Sequence, residues 1–303
     1  MMRNFVVVCF LFLIVSCNSK NASQEGVVQT RTSGSVKLLV DESFASVVED
    51  QIEVFKSDYK DADFNVVHGN ENQILPVFLN DSIRVIVLSR MLTDEEDKVY
   101  RNRSIVPKTS RFAIDGIALI INKDDVDSTI TVDEVIKMMQ GTSKDKRSLV
   151  FDNAYSSTLR YFKDLAKIKE LPAKGIYTLK NNDDVIKYVA DNKGFIGVIG
   201  VNWLNANNVK MSDYIAKVKA MGVKDVSGKK GANNYYKPVQ ANFINGIYPF
   251  LRNVYIINCE GRDGLGTGFA NWLMSPRGQL IVLKSGLGPH KMMPREFNLK
   301  NTK

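Results

Sequence analysis

Apolar positions come in short blocks along this chain, and most blocks run into a polar loop followed by an amphipathic stretch. Val36 to Val40 is an apolar strand that ends at Asp41-Glu42-Ser43. A helix follows, with Phe44, Val47, Val48, Ile52 and Phe55 on one face. Phe64 to Val67 predicts a second strand, and Gly69-Asn70-Glu71-Asn72 a turn. Ile83 to Leu88 predicts a third strand ending at Ser89-Arg90, and Thr93-Asp94-Glu95-Glu96 starts a helix with acidic residues in its first turn. This is the βα rhythm of an α/β sheet, whose ligands bind beyond the carboxyl ends of the strands.

The rhythm then repeats. Ile114 to Asn122 is a long apolar strand, and Thr131 to Met139 is a helix closed by Gly141. Leu149 to Phe151 reads as a short buried strand, and Leu159, Phe162, Leu165 and Ala166 recur beyond it at helical spacing. Asp183 to Val189 is a helix, and Phe195 to Gly200 a strand interrupted by Gly197. Residues 222–234, rich in Lys, Gly and Asn, read as a loop. Asn253 to Asn258 is another strand, and Phe269 to Leu273 and Pro276 to Leu283 are short helices. The strands 114–122 and 253–258 are placed to carry the chain from one lobe to a second and back. The expected division is 36–118 plus 256–303 for the first lobe and 119–255 for the second, with a ligand cleft between them.

The N-terminus bears on the compartment. Phe5 to Val15 is an unbroken apolar run of 11 residues behind Arg3, too short to span a bilayer and suited to a signal-peptide core. Ile14-Val15-Ser16-Cys17 then resembles a bacterial lipobox, which implies a signal peptide over 1–16 and a lipid on Cys17. Residues 17–35 read as the lipidated Cys and a polar tether. Of three Cys, Cys9 leaves with the signal and Cys17 carries the lipid, so Cys259 has no disulfide partner. Two distant His give no zinc-type spacing. The net charge of +8 is carried in part by scattered Lys, which argues for solubility rather than nucleic-acid binding in an exported protein.

The chemistry concentrates at Ser156-Ser157-Thr158, between a buried strand and a helix. First-turn N–H groups lack intrahelical partners, and with hydroxyl donors and the helix dipole they make an anion site. Capping alone explains one of these hydroxyls. Arg90 follows a buried strand and suits bidentate oxyanion contact, or pairs on the surface with Asp94 or Glu95. Arg252 reads as structural or as part of a hinge in preference to a ligand contact. Asp152 reads as a turn former or a ligand group. No Gly-x-Ser-x-Gly elbow is present, and Gly264-Leu265-Gly266-Thr267-Gly268 is not a P-loop, so no enzyme is expected.

Six stretches, in order, resemble the phosphate-binding (PstS-like, type II periplasmic) substrate-binding proteins, in particular a lipoprotein version common in Bacteroidetes-type bacteria. They are Val40-Asp41-Glu42-Ser43-Phe44, Ser89 to Glu96, Ala113 to Ala118, Phe151 to Thr158, Tyr248 to Tyr255 and Gly278 to Leu287. The resemblance implies a two-lobed α/β fold, the type II periplasmic binding protein fold, closing on an oxyanion in the interlobe cleft. It puts Ser156, Ser157 and Thr158 where the family has Ser-Gly-Thr, and Ser43 and Phe44 on the first ligand loop. Ser89 falls at a strand end that often supplies an Asp, with Arg90 after it. Asp152 stands where the family often has Arg; in this reading it accepts the proton of hydrogen phosphate, as an acidic residue does in the family, and Arg90 is the positive partner. The family's Gly-Ser-Gly loop is missing, with His68-Gly69-Asn70-Glu71 near its place. The implied function is phosphate or similar oxyanion binding for an importer permease of the ATP-binding-cassette type, by a monomer anchored in the cell envelope and facing the periplasm. The alternative is a lipid-anchored relative that serves sensing or envelope assembly. Neither cofactor nor metal is implied.

Overall fold

The computed structural model describes residues 28–204 and 209–291. The signal segment 1–16, Cys17 and the tether as far as residue 27 lie outside the described residues. The first strand, β1 (Gly34–Asp41), leads through a short 3-10 turn into α1 (Ala45–Asp58). Then come β2 (Ala62–Gly69), α2 (Glu71–Leu79), β3 (Val85–Leu88) and α3 (Asp94–Arg101). The long β4 (Lys108–Asn122) opens the second half. That half continues with β5 (Thr129–Thr131), α4 (Val132–Met139), β6 (Ser148–Phe151), α5 (Ser157–Ala166), β7 (Ile176–Thr178) and α6 (Asn182–Asp191). It closes with β8 (Phe195–Gly200), α7 (Ser212–Ile215), β9 (Val218–Ala220), β10 (Gly222–Lys224) and α8 (Gln240–Ile244). The chain returns through β11 (Leu251–Asn258), α9 (Leu265–Met274), α10 (Pro276–Lys284) and β12 (Gly288–Pro289).

The main sheet has the order β2-β1-β3-β11-β4-β8-β6-β7. Each half carries helices on both faces, as alternation along its strands requires. In the first half Val36, Leu38 and Val40 pack with Phe55, Phe269 and Trp272, while Leu39 points the other way, onto Phe78 and Tyr100. In the second half Leu149 and Phe151 pack with Leu159 and Phe162, and Val150 with Val185 and Val189. Gly197 does not interrupt β8. A Cβ there would stand 2.8 Å from side-chain carbons of Ile120 and Val185, so the glycine admits a close strand–helix approach.

The pairings fix where the strands end. β1 and β3 run parallel to each other, and β11 runs antiparallel to both β3 and β4. β4 therefore runs with β1 and β3, then changes partner at Ile117, where it pairs antiparallel with β8, which is parallel to β6. The carboxyl ends of β1 and β3 point toward the second half, and those of β6 and β8 point back toward the first. Both sets converge on one cleft. β11 pairs with β4 from Leu251 and with β3 from Tyr255.

Two segments differ from the sequence reading. Residues 69–72 form no simple turn: Asn70 caps α2, with Asn70 and Gln73 satisfying each other's backbone N–H groups, and Ile74 and Phe78 are buried. Residues 222–234 are not all loop: β10 pairs in parallel with β5, and Val223 is buried.

Candidate functional site

At the end of β1, Asp41 turns its Oδ1 back to accept the Ser43 N–H at 3.0 Å. This tight turn presents the Ser43 hydroxyl to the opposite lobe, where it shares a hydrogen bond of 3.3 Å with Ser157 Oγ. Ser157 is the first residue of α5. Ser156 is the cap, accepting the Leu159 N–H at 3.1 Å. The N–H groups of Ser157 and Thr158 thus stand at the positive end of a ten-residue helix with no intrahelical acceptor. Thr158 Oγ1 is buried and has no hydrogen-bond partner.

The cation at this place is Arg252. It lies on β11 directly opposite Asp115 of β4, and its Nε donates to Asp115 Oδ2 at 2.6 Å. Nη1 donates to Ser157 Oγ at 3.1 Å, and the guanidinium lies over the Phe44 ring, 4.9 Å from its centroid. Nη2 is buried without a partner. Two asparagines frame the cluster. Asn202, in the turn after β8, donates to the Ser43 carbonyl at 3.2 Å, and Asn182, at the start of α6, donates to Asp152 Oδ2 at 3.4 Å.

Three buried carboxyls surround this one guanidinium. Burial pushes Asp41, Asp115 and Asp152 each above the ordinary carboxylate value. For Asp41 and Asp115 the Arg252 charge is the main opposing influence; for Asp152 it is the Ser156 hydroxyl, followed by the Asn153 N–H and Arg252. One oxygen of each carboxyl is buried without a hydrogen-bond partner.

Arg90 is placed elsewhere. Its Nε donates to Glu71 at 2.6 Å, and Nη1 and Nη2 donate to Glu96 at 2.7 and 2.9 Å. Glu96, and after it Glu71, hold the guanidinium charged, above its usual range. With two carboxylates on its fork, Arg90 has no donor pair left for an anion. Ser89 accepts from Arg160 of α5 at 3.1 Å, and Arg160 Nε reaches Glu71 at 3.0 Å. Glu71 therefore ties α2 to α5 across the cleft, and Glu42 bonds Asn153 beside it. His68 meets Glu49 and His290 meets Arg111, away from the hydroxyl run. Among the described residues no cluster of three His, Cys, Asp or Glu could hold a metal ion.

The structure thus gathers Ser43, Phe44, Asp152, Ser156, Ser157 and Thr158 and sets Ser89 and Arg90 to one side. Asp41, Asp115, Asn182, Asn202 and Arg252 join the group without having been singled out as ligand groups. A signal was present for Asp115, the one charge between Phe112 and Asn122 of β4, whereas Arg252 sits among the polar residues at the start of β11.

A family model described as a PBP superfamily domain matches residues 26–277. The phosphate-binding protein PstS of Staphylococcus epidermidis is 25% identical over 237 residues, covering 74% of this chain and 68% of that protein. A Clostridium perfringens protein, described as a phosphate ABC transporter substrate-binding protein with bound phosphate, superposes with a TM-score of 0.68 at 20% identity, over 85% of this chain and 100% of the other. An ABC-type phosphate transport receptor of Vibrio cholerae superposes with a TM-score of 0.64 at 16% identity, over 84% and 100%. The chain has the type II periplasmic binding protein fold and belongs to the PBP superfamily.

Proposed function

We propose that this chain binds phosphate, or a similar tetrahedral oxyanion, in the interlobe cleft and delivers it to an importer of the ATP-binding-cassette type. The observation that carries the reading is the Arg252 guanidinium, buried against Ser157 at the N-terminus of α5 with Nη2 unpaired. The names of the relatives point to the same ligand. In this reading the anion enters between Ser43 and Ser157, replaces their mutual hydrogen bond, and takes the N–H groups of Ser157 and Thr158, the Thr158 hydroxyl and Arg252 Nη2. Phe44 seats the guanidinium, Ser156 shapes the helix start, and Asp152 accepts a P–OH. Ser89 and Arg90 support the contact between lobes rather than the ligand.

Calorimetric titration of the purified chain with phosphate, sulfate and arsenate tests the reading. Binding of phosphate and arsenate in preference to sulfate is expected; no affinity for any of the three contradicts it. A second reading, a lipid-anchored relative that serves sensing or envelope assembly, draws on the surplus of buried carboxyls over guanidinium at the site. It is the reading that the contradicting result would leave.

Anchoring at Cys17 on the periplasmic face of the envelope is part of the proposal, supported by the apolar run that ends in Ile14-Val15-Ser16-Cys17. Cys17→Ala is expected to abolish incorporation of labelled fatty acid, and unchanged acylation contradicts the anchor.

A further inference from the structure

Asp41 is a fully buried carboxyl at the end of β1 that the ligand contacts above leave unused. Its Oδ1 is occupied by the Ser43 N–H, its Oδ2 is buried with no partner at hydrogen-bond distance, and the Ser157 hydroxyl at the anion site also acts on the carboxyl to favour its ionised form. Asp152, from the facing lobe, has the same form: Oδ2 meets Asn182 and Oδ1 is unpaired. The charged groups that act on Asp41 come from each element packed there. They are Glu42 beside it, Glu71 of α2, Asp115 of β4, Asp152 after β6 and Arg252 of β11. Arg252 bonds Asp115 at 2.6 Å, and its single positive charge is shared among three carboxyls. Asp41 and Asp152 remain, one on each side of the hydroxyl run, and no second cation is among these groups.

An ionised carboxylate can only accept hydrogen bonds, so each of these oxygens asks for an O–H or N–H. An oxyanion with two O–H groups meets both. One with a single O–H leaves a buried carboxylate facing a bare anionic oxygen, unless a proton enters with it. We infer, building on the phosphate reading, that Asp41 is a second specificity-determining acceptor beside Asp152, so that the site holds phosphate as the doubly protonated, singly charged species. The proton count follows from the atoms alone. Hydrogen phosphate dianion taken from alkaline solution must gain one proton, from solvent, by the time the lobes have closed, whether that proton rests on the ligand or on Asp41.

The test is titration of inorganic phosphate into the full chain across a pH series, in pairs of buffers with different heats of ionisation. The inference predicts uptake of about one proton per phosphate at about pH 8, and affinity falling ~tenfold per pH unit on the alkaline side. Asp41→Asn keeps the shape of the side chain and replaces an acceptor with a donor. It is expected to reduce the uptake, flatten the pH dependence and let sulfate gain on phosphate. The parent measurement needs no variant, so a poorly folded Asp41→Asn does not shelter the inference. Phosphate binding with no net proton uptake and constant affinity overturns the inference and leaves the phosphate reading standing. No phosphate binding at any pH overturns both.

Discussion

Asp115 and Asp152 are both buried aspartates within reach of the Arg252 charge, yet they are expected to respond oppositely to the same substitution. Asp115 is paired, so Asp115→Asn removes the carboxylate that Arg252 Nε donates to and is expected to destabilise the chain, by less than the about 3–5 kcal/mol of a buried charge left wholly alone because Asp41 and Asp152 stay near the guanidinium. Asp152 carries an unpaired buried oxygen and a carboxyl raised by burial. A raised carboxyl binds more protons in the folded state than in the unfolded. Its penalty is present at neutral pH and is relieved as pH falls toward the ordinary carboxylate range. Asp152→Asn is therefore expected to raise the melting temperature of the ligand-free chain at neutral pH, with the gain shrinking in acid, and to let sulfate gain on phosphate. Thermal melts across pH together with competition titration check both halves. An unchanged melting temperature with an unchanged phosphate-to-sulfate ratio would mean that Asp152 only shapes the turn. The hydroxyl run was legible in the sequence because three hydroxyls between a strand and a helix exceed what capping needs. Arg252 was not legible as part of the site, since its partner lies 137 residues away and their pairing depends on the register of β11 on β4.

At the scale of elements, α2 and α5 are joined by Glu71 and Arg160. Glu71 is nearly buried and is also held by Arg90, so it waits in position for the opposite lobe. Arg160 is about one-third exposed, which limits the pair to about 0.2–1 kcal/mol. Arg160→Gln is expected to weaken phosphate binding by up to about fivefold, mostly through faster dissociation. Stopped-flow release of phosphate measures this; an unaltered release rate would show that the contact does not hold the lobes together. The regular elements were largely readable from their periodicity, and their ends from Thr93, Thr131 and Gly141. α2 was hidden because Pro76 lies inside it and the Gly69-Asn70 pair reads as a turn. β10 was hidden because it is three residues long and set among Lys and Gly, and parallel pairing with β5 leaves no local signal.

Across the whole molecule, β4 and β11 set two sheet halves with their strand ends facing each other, and the candidate site draws on both: Asp41, Ser43 and Arg252 from the first, Asp152, Ser157 and Thr158 from the second. The two-lobed layout could be anticipated from the order of strands and helices, whereas the way the lobes meet depends on side chains far apart in sequence. In the proposed reading ligand binding and lobe closure are one event, and a group that serves only the ligand is separable from groups that serve the fold. Thr158 is that group, since its hydroxyl is buried with no partner in the protein. Removing it costs the ligand-free chain no hydrogen bond, while a lost bond to a charged ligand costs about 1.5–3 kcal/mol. The most direct measurement is phosphate titration into the parent and Thr158→Val, with melting temperatures recorded without ligand. The account predicts at least ~tenfold weaker phosphate binding in the variant and a melting temperature equal to or above the parent's. Equal phosphate affinity in the two proteins would contradict an anion site at the start of α5.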